Sequence, residues 1–222
     1  ARLSADIQFP YLLLLTSGGH CQVLAVEGVG QYRKLGATVD DSAGEAFDKV
    51  AKMLDIGYPG GPNLEKRAVL GKADRFSFPV PMRGRHGCAF SFSGLKTAVR
   101  VCIDGLGQMT ETDKNDICAS FQMAVVAQVR DRLNHAFQAF RAAYPTGRDL
   151  VVAGGVAANK TLRTALKEMA QANGFIFSAP PIELCTDNGV MIAWAGMERF
   201  CQNMTDTLDF RARPRWPLDT QP

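Results

Sequence analysis

A chain of 222 residues, 46% hydrophobic and 21% charged, can bury one sizeable core and has the composition of an ordinary soluble globular protein. No stretch approaches the roughly 20 apolar residues that a membrane helix needs, and the opening ARLSADIQFP lacks the basic-then-apolar pattern of a secretory signal. A net charge of +3 does not by itself argue for nucleic acid, and six cysteines without a C-x-x-C pair favour reduced thiols in a cytoplasmic protein over disulfides or a zinc ribbon.

In chain order, YLLLLT (11–16), CQVLAVEG (21–28) and YRKLGATV (32–39) are short apolar runs broken by Ser17-Gly18-Gly19 and Gly28-Val29-Gly30. That spacing predicts an antiparallel meander. From Ser42 the period changes: Ala43, Ala46, Phe47, Val50, Ala51 and Leu54 fall on one helical stripe, opened by the capping-box pair Ser42 and Glu45. YPGGP (58–62) is expected to be a loop, with Pro62 in the first turn of a helix that Gly71 ends. Residues 73–94 read as irregular. Helices are expected over 93–103 and 112–143. DLVVAGG (149–155) reads as a buried strand and 159–173 as a helix stopped by Gly174. FIFSA is a further strand, and 187–201 is the last helix. The order implies a mixed α/β domain.

Five segments carry candidate chemistry. In LLTSGGH (14–20), Gly18 and Gly19 let backbone N–H groups approach an anion, although a plain Gly-Gly hairpin has the same spacing. VVAGGVAAN (151–159) ends a strand in two glycines and opens a helix at Asn159, a cap that is also placed to meet a ligand. In ELCTDNG (183–189), Asp187 is either a helix cap or a hard oxygen donor for a divalent cation. Asp48 lies off the apolar stripe near Glu45 and Lys52, where a solvated face is the plain alternative. Glu65 follows the glycine pair of YPGGP, which otherwise is an inter-helix turn. No P-loop, dinucleotide fingerprint, H-E-x-x-H or G-x-S-x-G is present, and the three histidines lie far apart in sequence. The basic residues Arg75, Arg83, Arg85 and His86, and the tail residues Arg211, Arg213 and Arg215, are candidate phosphate contacts or simply solvated cations.

Taken together and in this order, LLTSGGH, DDSAGEAFDKVAKMLDIGYPGGP, FSFSGLKTAV, AGGVAAN, CTDNGVMIAWAG and RPRWPL resemble the tRNA threonylcarbamoyladenosine transferase family, formerly called O-sialoglycoprotein endopeptidase. The resemblance covers about residues 11–218. It implies the actin-like ATPase, ribonuclease-H-like fold, a mixed sheet with flanking helices. It also implies transfer of a threonylcarbamoyl group from threonylcarbamoyl-AMP to the N6 amine of the adenosine beside the tRNA anticodon. By position, Leu15, Thr16, Ser17, Gly18, Gly19, Asp48, Gly61, Glu65 and Asn159 match the family's adenylate contacts. Asp187 matches an aspartate that joins two histidines around a metal, usually assigned as Fe(2+).

The family's H-x-x-x-H pair lies upstream of the SGGH loop, and only sixteen residues precede Ser17 here, none of them His. The expectation is therefore a second lobe with a helical insertion at about 56–145, the first lobe and two metal ligands missing. The lack of an initiator Met points the same way. A chain of this kind is expected to be inactive alone. Tested against this are a non-catalytic binding module and a metallopeptidase. The resemblance further implies an accessory paralogue and an ATPase as partner proteins, and no membrane.

Overall fold

The computed structural model describes residues 6–211; Arg213, Arg215 and the RPRWPL motif lie outside them. A five-stranded mixed sheet runs in the order β3-β2-β1-β4-β5. Its first three strands, β1 (Tyr11–Thr16), β2 (Cys21–Gly28) and β3 (Gln31–Ala37), form the expected antiparallel meander. The two later strands, β4 (Asp149–Ala153) and β5 (Ile176–Ser178), add in parallel to β1. Alternation along β1 divides its side chains between faces. Leu12 and Leu14 enter the main core with Val23, Leu150 and Val152, while Tyr11 joins a smaller cluster with Leu24, Val26 and Val151.

The main core lies under helices. Helix α1 (Ala43–Met53) buries Ala43, Ala46, Phe47, Val50 and Ala51, and both halves of its capping box, Ser42 and Glu45, are formed. Next come α2 (Gly60–Ala68), α3 (Ser93–Leu106) and the 33-residue α4 (Glu111–Ala143). Helix α4 is apolar around much of its circumference, so it is buried in the middle, against α2, α3 and α5 (Lys160–Ala172). Phe47 meets Phe121 edge-on across this core, with ring centroids 5.2 Å apart. The last helix, α6 (Gly189–Phe200), buries none of its residues.

Three expectations at element ends need correction. Gly60 and Gly61 are not in a loop but join Pro62, as expected for that proline, in the first turn of α2. A helix's first N–H groups have no acceptor within the helix. Asp48 Oδ1 accepts from Gly60 N at 2.9 Å, and Pro62 lacks the N–H altogether. The strand expected through Gly155 stops at Ala153, because Gly154 takes a φ of +97° and a 3-10 turn follows over Gly155–Ala158. The cap of α6 is Asn188, whose side chain accepts from Met191 N at 3.2 Å; Asp187 precedes the cap and is exposed.

Candidate functional site

β1 and β4 run in parallel with Leu15 opposite Ala153, so their carboxyl ends open on the same edge of the sheet. The turn after β1 meets the start of α1 there. Ser42 Oγ donates to Gly18 O at 2.5 Å and Gly44 N donates to Ser17 O at 3.1 Å. The turn after β4 meets it from the other side: a Cβ on Gly154 would lie 2.3 Å from Thr16 O, and one on Gly44 would lie 2.7 Å from Ser17 O. Both glycines are therefore fixed by backbone packing around the Ser17 turn.

The turn offers fewer free donors than its glycines suggest. Ser17 N donates to His20 O at 2.7 Å, and Ser17 Oγ accepts from Gly19 N and His20 N at 3.2 and 3.0 Å. Only the Gly18 N–H of this turn has no acceptor among the described residues. Leu15 and Thr16 are strand residues beneath it, Thr16 buried.

The remaining candidates bind helix starts, Asp48 from within α1, Glu65 from within α2 and Asn159 as a cap. Half-buried Asp48 holds the first N–H of α2. Glu65 Oε1 accepts from Lys160 N, the first residue of α5, at 2.6 Å. Asn159 is the buried N-cap of α5: Oδ1 accepts from Leu162 N at 2.9 Å, and Nδ2 donates to Gln122 Oε1 at 2.7 Å. A cap and a ligand contact remain compatible, since each carboxylate keeps a second oxygen. Gly61 differs from its neighbour: a Cβ on Gly60 would strike Asp48 Cα at 2.6 Å, whereas one on Gly61 meets nothing within 4 Å. The same open space surrounds Gly18 and Gly19.

A cavity of about 470 Å³ opens between Gly18 and Asp48, with Glu45, Lys52, Gly57 and Tyr58 on its walls. Gly61, Glu65 and Asn159 are outside its lining. Tyr58 is 85% exposed. Sequence reasoning missed Tyr58 and Gln122. The first stands in a segment that reads as a turn, and the second is one polar residue on a long helix, with nothing local to single it out.

Beside the site, Asp40 binds the start of α3 through Phe92 N at 2.7 Å, Ser91 Oγ at 2.5 Å and Ser93 Oγ at 2.6 Å. Burial pushes this carboxyl up, but these donors outweigh it and hold it below the ordinary aspartate value. Cys21 faces Thr16 in the register of β1 and β2, 1% exposed, and burial pushes its thiol up to about 12. It stays protonated near neutral pH and is not a nucleophile.

Asp187 is not brought to this edge by any hydrogen bond or ion pair among the described residues. Nor do three His, Cys, Asp or Glu side chains converge anywhere among them. One exposed carboxylate is not a donor set for iron, so the residues present do not fit that ion. Arg75 is engaged rather than free: it pairs with Asp113, and with Asp116 at 2.7 Å.

An open α/β sheet with glycine turns at the carboxyl ends of adjacent parallel strands is the arrangement of nucleotide-binding α/β proteins. Two solved structures share this fold at low identity. One is HypF of T. kodakarensis, with TM-score 0.53, 21% identity, and 74% of this chain and 20% of that one covered. The other is full-length HypF in a phosphate- and nucleotide-bound form, with TM-score 0.62, 13% identity and 89% and 34% covered.

The sequence profile of TsaD, tRNA N6-adenosine threonylcarbamoyltransferase, matches residues 1–194, and the chain belongs to that family. The family's protein from Rhodospirillum rubrum is 58% identical over 220 residues, covering 98% of this chain and 61% of the relative. That from Paramagnetospirillum magneticum is 55% identical, covering 98% and 63%. The chain thus spans about three fifths of the length of these relatives. No described helix is long and apolar enough to cross a membrane.

Proposed function

We propose that this chain supplies the adenylate-binding side of a transferase that moves a threonylcarbamoyl group from threonylcarbamoyl-AMP to the N6 amine of an adenosine in tRNA. The observation that carries this is the contrast among glycines. Gly44, Gly60 and Gly154 are fixed by neighbouring atoms, but Gly18, Gly19 and Gly61 face open space at the same edge, with no need of a positive φ. A ligand that must approach the backbone closely accounts for the second set.

In the transfer, the amine nitrogen forms a bond to the carbamoyl carbon, the bond from that carbon to the phosphate oxygen breaks, and the amine loses a proton as AMP departs. The anhydride is already activated, so orientation and charge stabilisation are the protein's tasks. The Gly18 N–H is the donor for the phosphate. The second oxygens of Asp48 and Glu65 accept from ribose hydroxyls, and Asn159 keeps the start of α5 in place beside them. No covalent nucleophile is required.

The family resemblance implies Fe(2+), with Asp187 as one ligand. This chain's donors do not complete such a site, and no step here passes through it. On this reading residues 1–222 are the second lobe, 56–145 is its helical insertion, and the accessory paralogue and ATPase meet the protein elsewhere. A binding module without turnover is the second reading, favoured by the isolation of Asp187.

Calorimetric titration with a stable adenylate analogue tests the proposal. The chain is expected to bind it, and Gly61→Ala to weaken binding at least tenfold. Stability should rise by up to about 1 kcal/mol, as for Gly to Ala in a helix. Undiminished affinity in Gly61→Ala would remove the main support. Assaying tRNA modification by the chain alone separates an enzyme from a binding module.

A further inference from the structure

We propose that the segment over residues 81–91 is a preformed docking surface for the sugar-phosphate backbone of RNA, presented through Arg83, Arg85 and His86. The proposal rests on the reading above that the acceptor is an RNA adenosine, and it assigns contacts that reading leaves open.

The segment is irregular yet held at both ends and in the middle by two buried side chains one turn apart on α4. Gln128 Nε2 donates to Pro81 O at 3.1 Å and to Ser91 O at 2.6 Å, joining the two ends. Arg132 Nη1 donates to Arg85 O at 2.9 Å and Gly87 O at 3.1 Å from beneath, while its Nε donates to Asp131 at 2.8 Å. Both Gln128 and Arg132 are fully buried. Burying a guanidinium is unfavourable unless its charge is paired and its donors are used, and here those donors fix the loop.

The backbone of this segment is left-handed at Gly84 and Gly87 and also at Met82, where φ is +65° without a glycine to relieve it. Such strain persists only where the surroundings impose one conformation. Arg83, Arg85 and His86 are all exposed on the loop so held. Arg75 pairs with Asp113 and Asp116, and Arg67 with Glu111, whereas exposed Arg100, Arg130 and Arg148 have no carboxylate partner among the described residues and do not lie on a segment so held. Arg83 and Arg85 likewise have no carboxylate partner among the described residues. A loop whose backbone is already held in one conformation has less freedom left to lose when its cations meet a phosphate.

The segment also leads into the candidate site. Phe90 pairs with Ala37 and Val39, and Phe92 and Ser93 bind Asp40, two residues before Ser42, which holds Gly18 O. Cations strung along a segment suit a repeating phosphate chain better than one free phosphate.

The test uses the full chain and a short anticodon stem-loop RNA, with binding followed by fluorescence anisotropy over a salt series. Arg83→Glu/Arg85→Glu is compared with Arg148→Glu/Lys167→Glu, which changes the charge equally at exposed sites remote in sequence. The loop variant is expected to lose roughly 10- to 100-fold in affinity at low salt, its salt slope falling by about two. The control should lose less than about threefold, and Arg83→Lys/Arg85→Lys should keep most of the affinity. Equal losses in both charge reversals, or no RNA binding by the unaltered chain, would overturn the proposal. Competition by polyglutamate as strong as by RNA of equal charge would also overturn it, in favour of an acidic protein. Titration of each variant with the adenylate analogue reports separately on the adenylate site.

Discussion

The edge around Ser17 and the helix carrying Asp187 are built in opposite ways. At the first, α1 begins against the Ser17 turn, α2 against a side chain of α1 and α5 against a side chain of α2, and Gly44, Gly60 and Gly154 allow backbone contact too close for any Cβ. At the second, Ile192 is 71% and Phe200 70% exposed on a helix that buries nothing. Packing therefore preorganises the proposed adenylate contacts, while Asp187 is positioned by its own helix cap and little else. One end of the chain's sheet is thus tightly packed, while the helix that follows Asp187 is not.

The sharpest way to break the comparison is Gly154→Ala. Its left-handed backbone and the 2.3 Å approach to Thr16 O together predict a loss of about 2–5 kcal/mol. At this chain length that is a fall of about 10 °C in the thermal midpoint. Thermal unfolding checks it; a midpoint within a degree of the parent would show that the two strand ends are not locked together. Asn159→Ala comes next. It removes the cap of α5 and leaves the buried Gln122 amide without its donor, so about 2 kcal/mol is expected. Asn159→Asp keeps the acceptor for Leu162 N but not the donor to Gln122, and denaturant titration should place it between the two.

The packed half was the more legible in sequence, for physical reasons. Strand alternation, the Ser42–Glu45 capping box and the Asn159 cap are local signals, written within a few residues of the structure they specify. The bonds that join the pieces are not local. Nothing near Asp48 indicates that its carboxylate holds Gly60 N, and YPGGP read as a loop because its glycines and prolines resemble a turn when that distant acceptor is unknown. Ser17 misled in the other sense: a Ser-Gly-Gly turn suggests several free N–H groups, but the serine hydroxyl takes two of them. The stapled basic loop was legible only as scattered arginines, because Gln128 and Arg132 lie roughly forty residues away.

Asp187 gives the smallest expected effect and the cleanest reading of the contrast. The cap of α6 is made by Asn188, which accepts from Met191 N and donates to Thr186 O at 2.8 Å, so the neighbouring carboxylate is not needed for the helix. Asp187→Ala should therefore change stability by no more than about 0.5 kcal/mol, as for other exposed positions without a partner. Binding of the adenylate analogue by this chain should stay within about twofold, because the contacts proposed for it all lie at the Ser17 edge. Calorimetry on the variant decides. A tenfold loss would mean that Asp187 reaches the adenylate in solution, and the two halves would then have to be treated as one site.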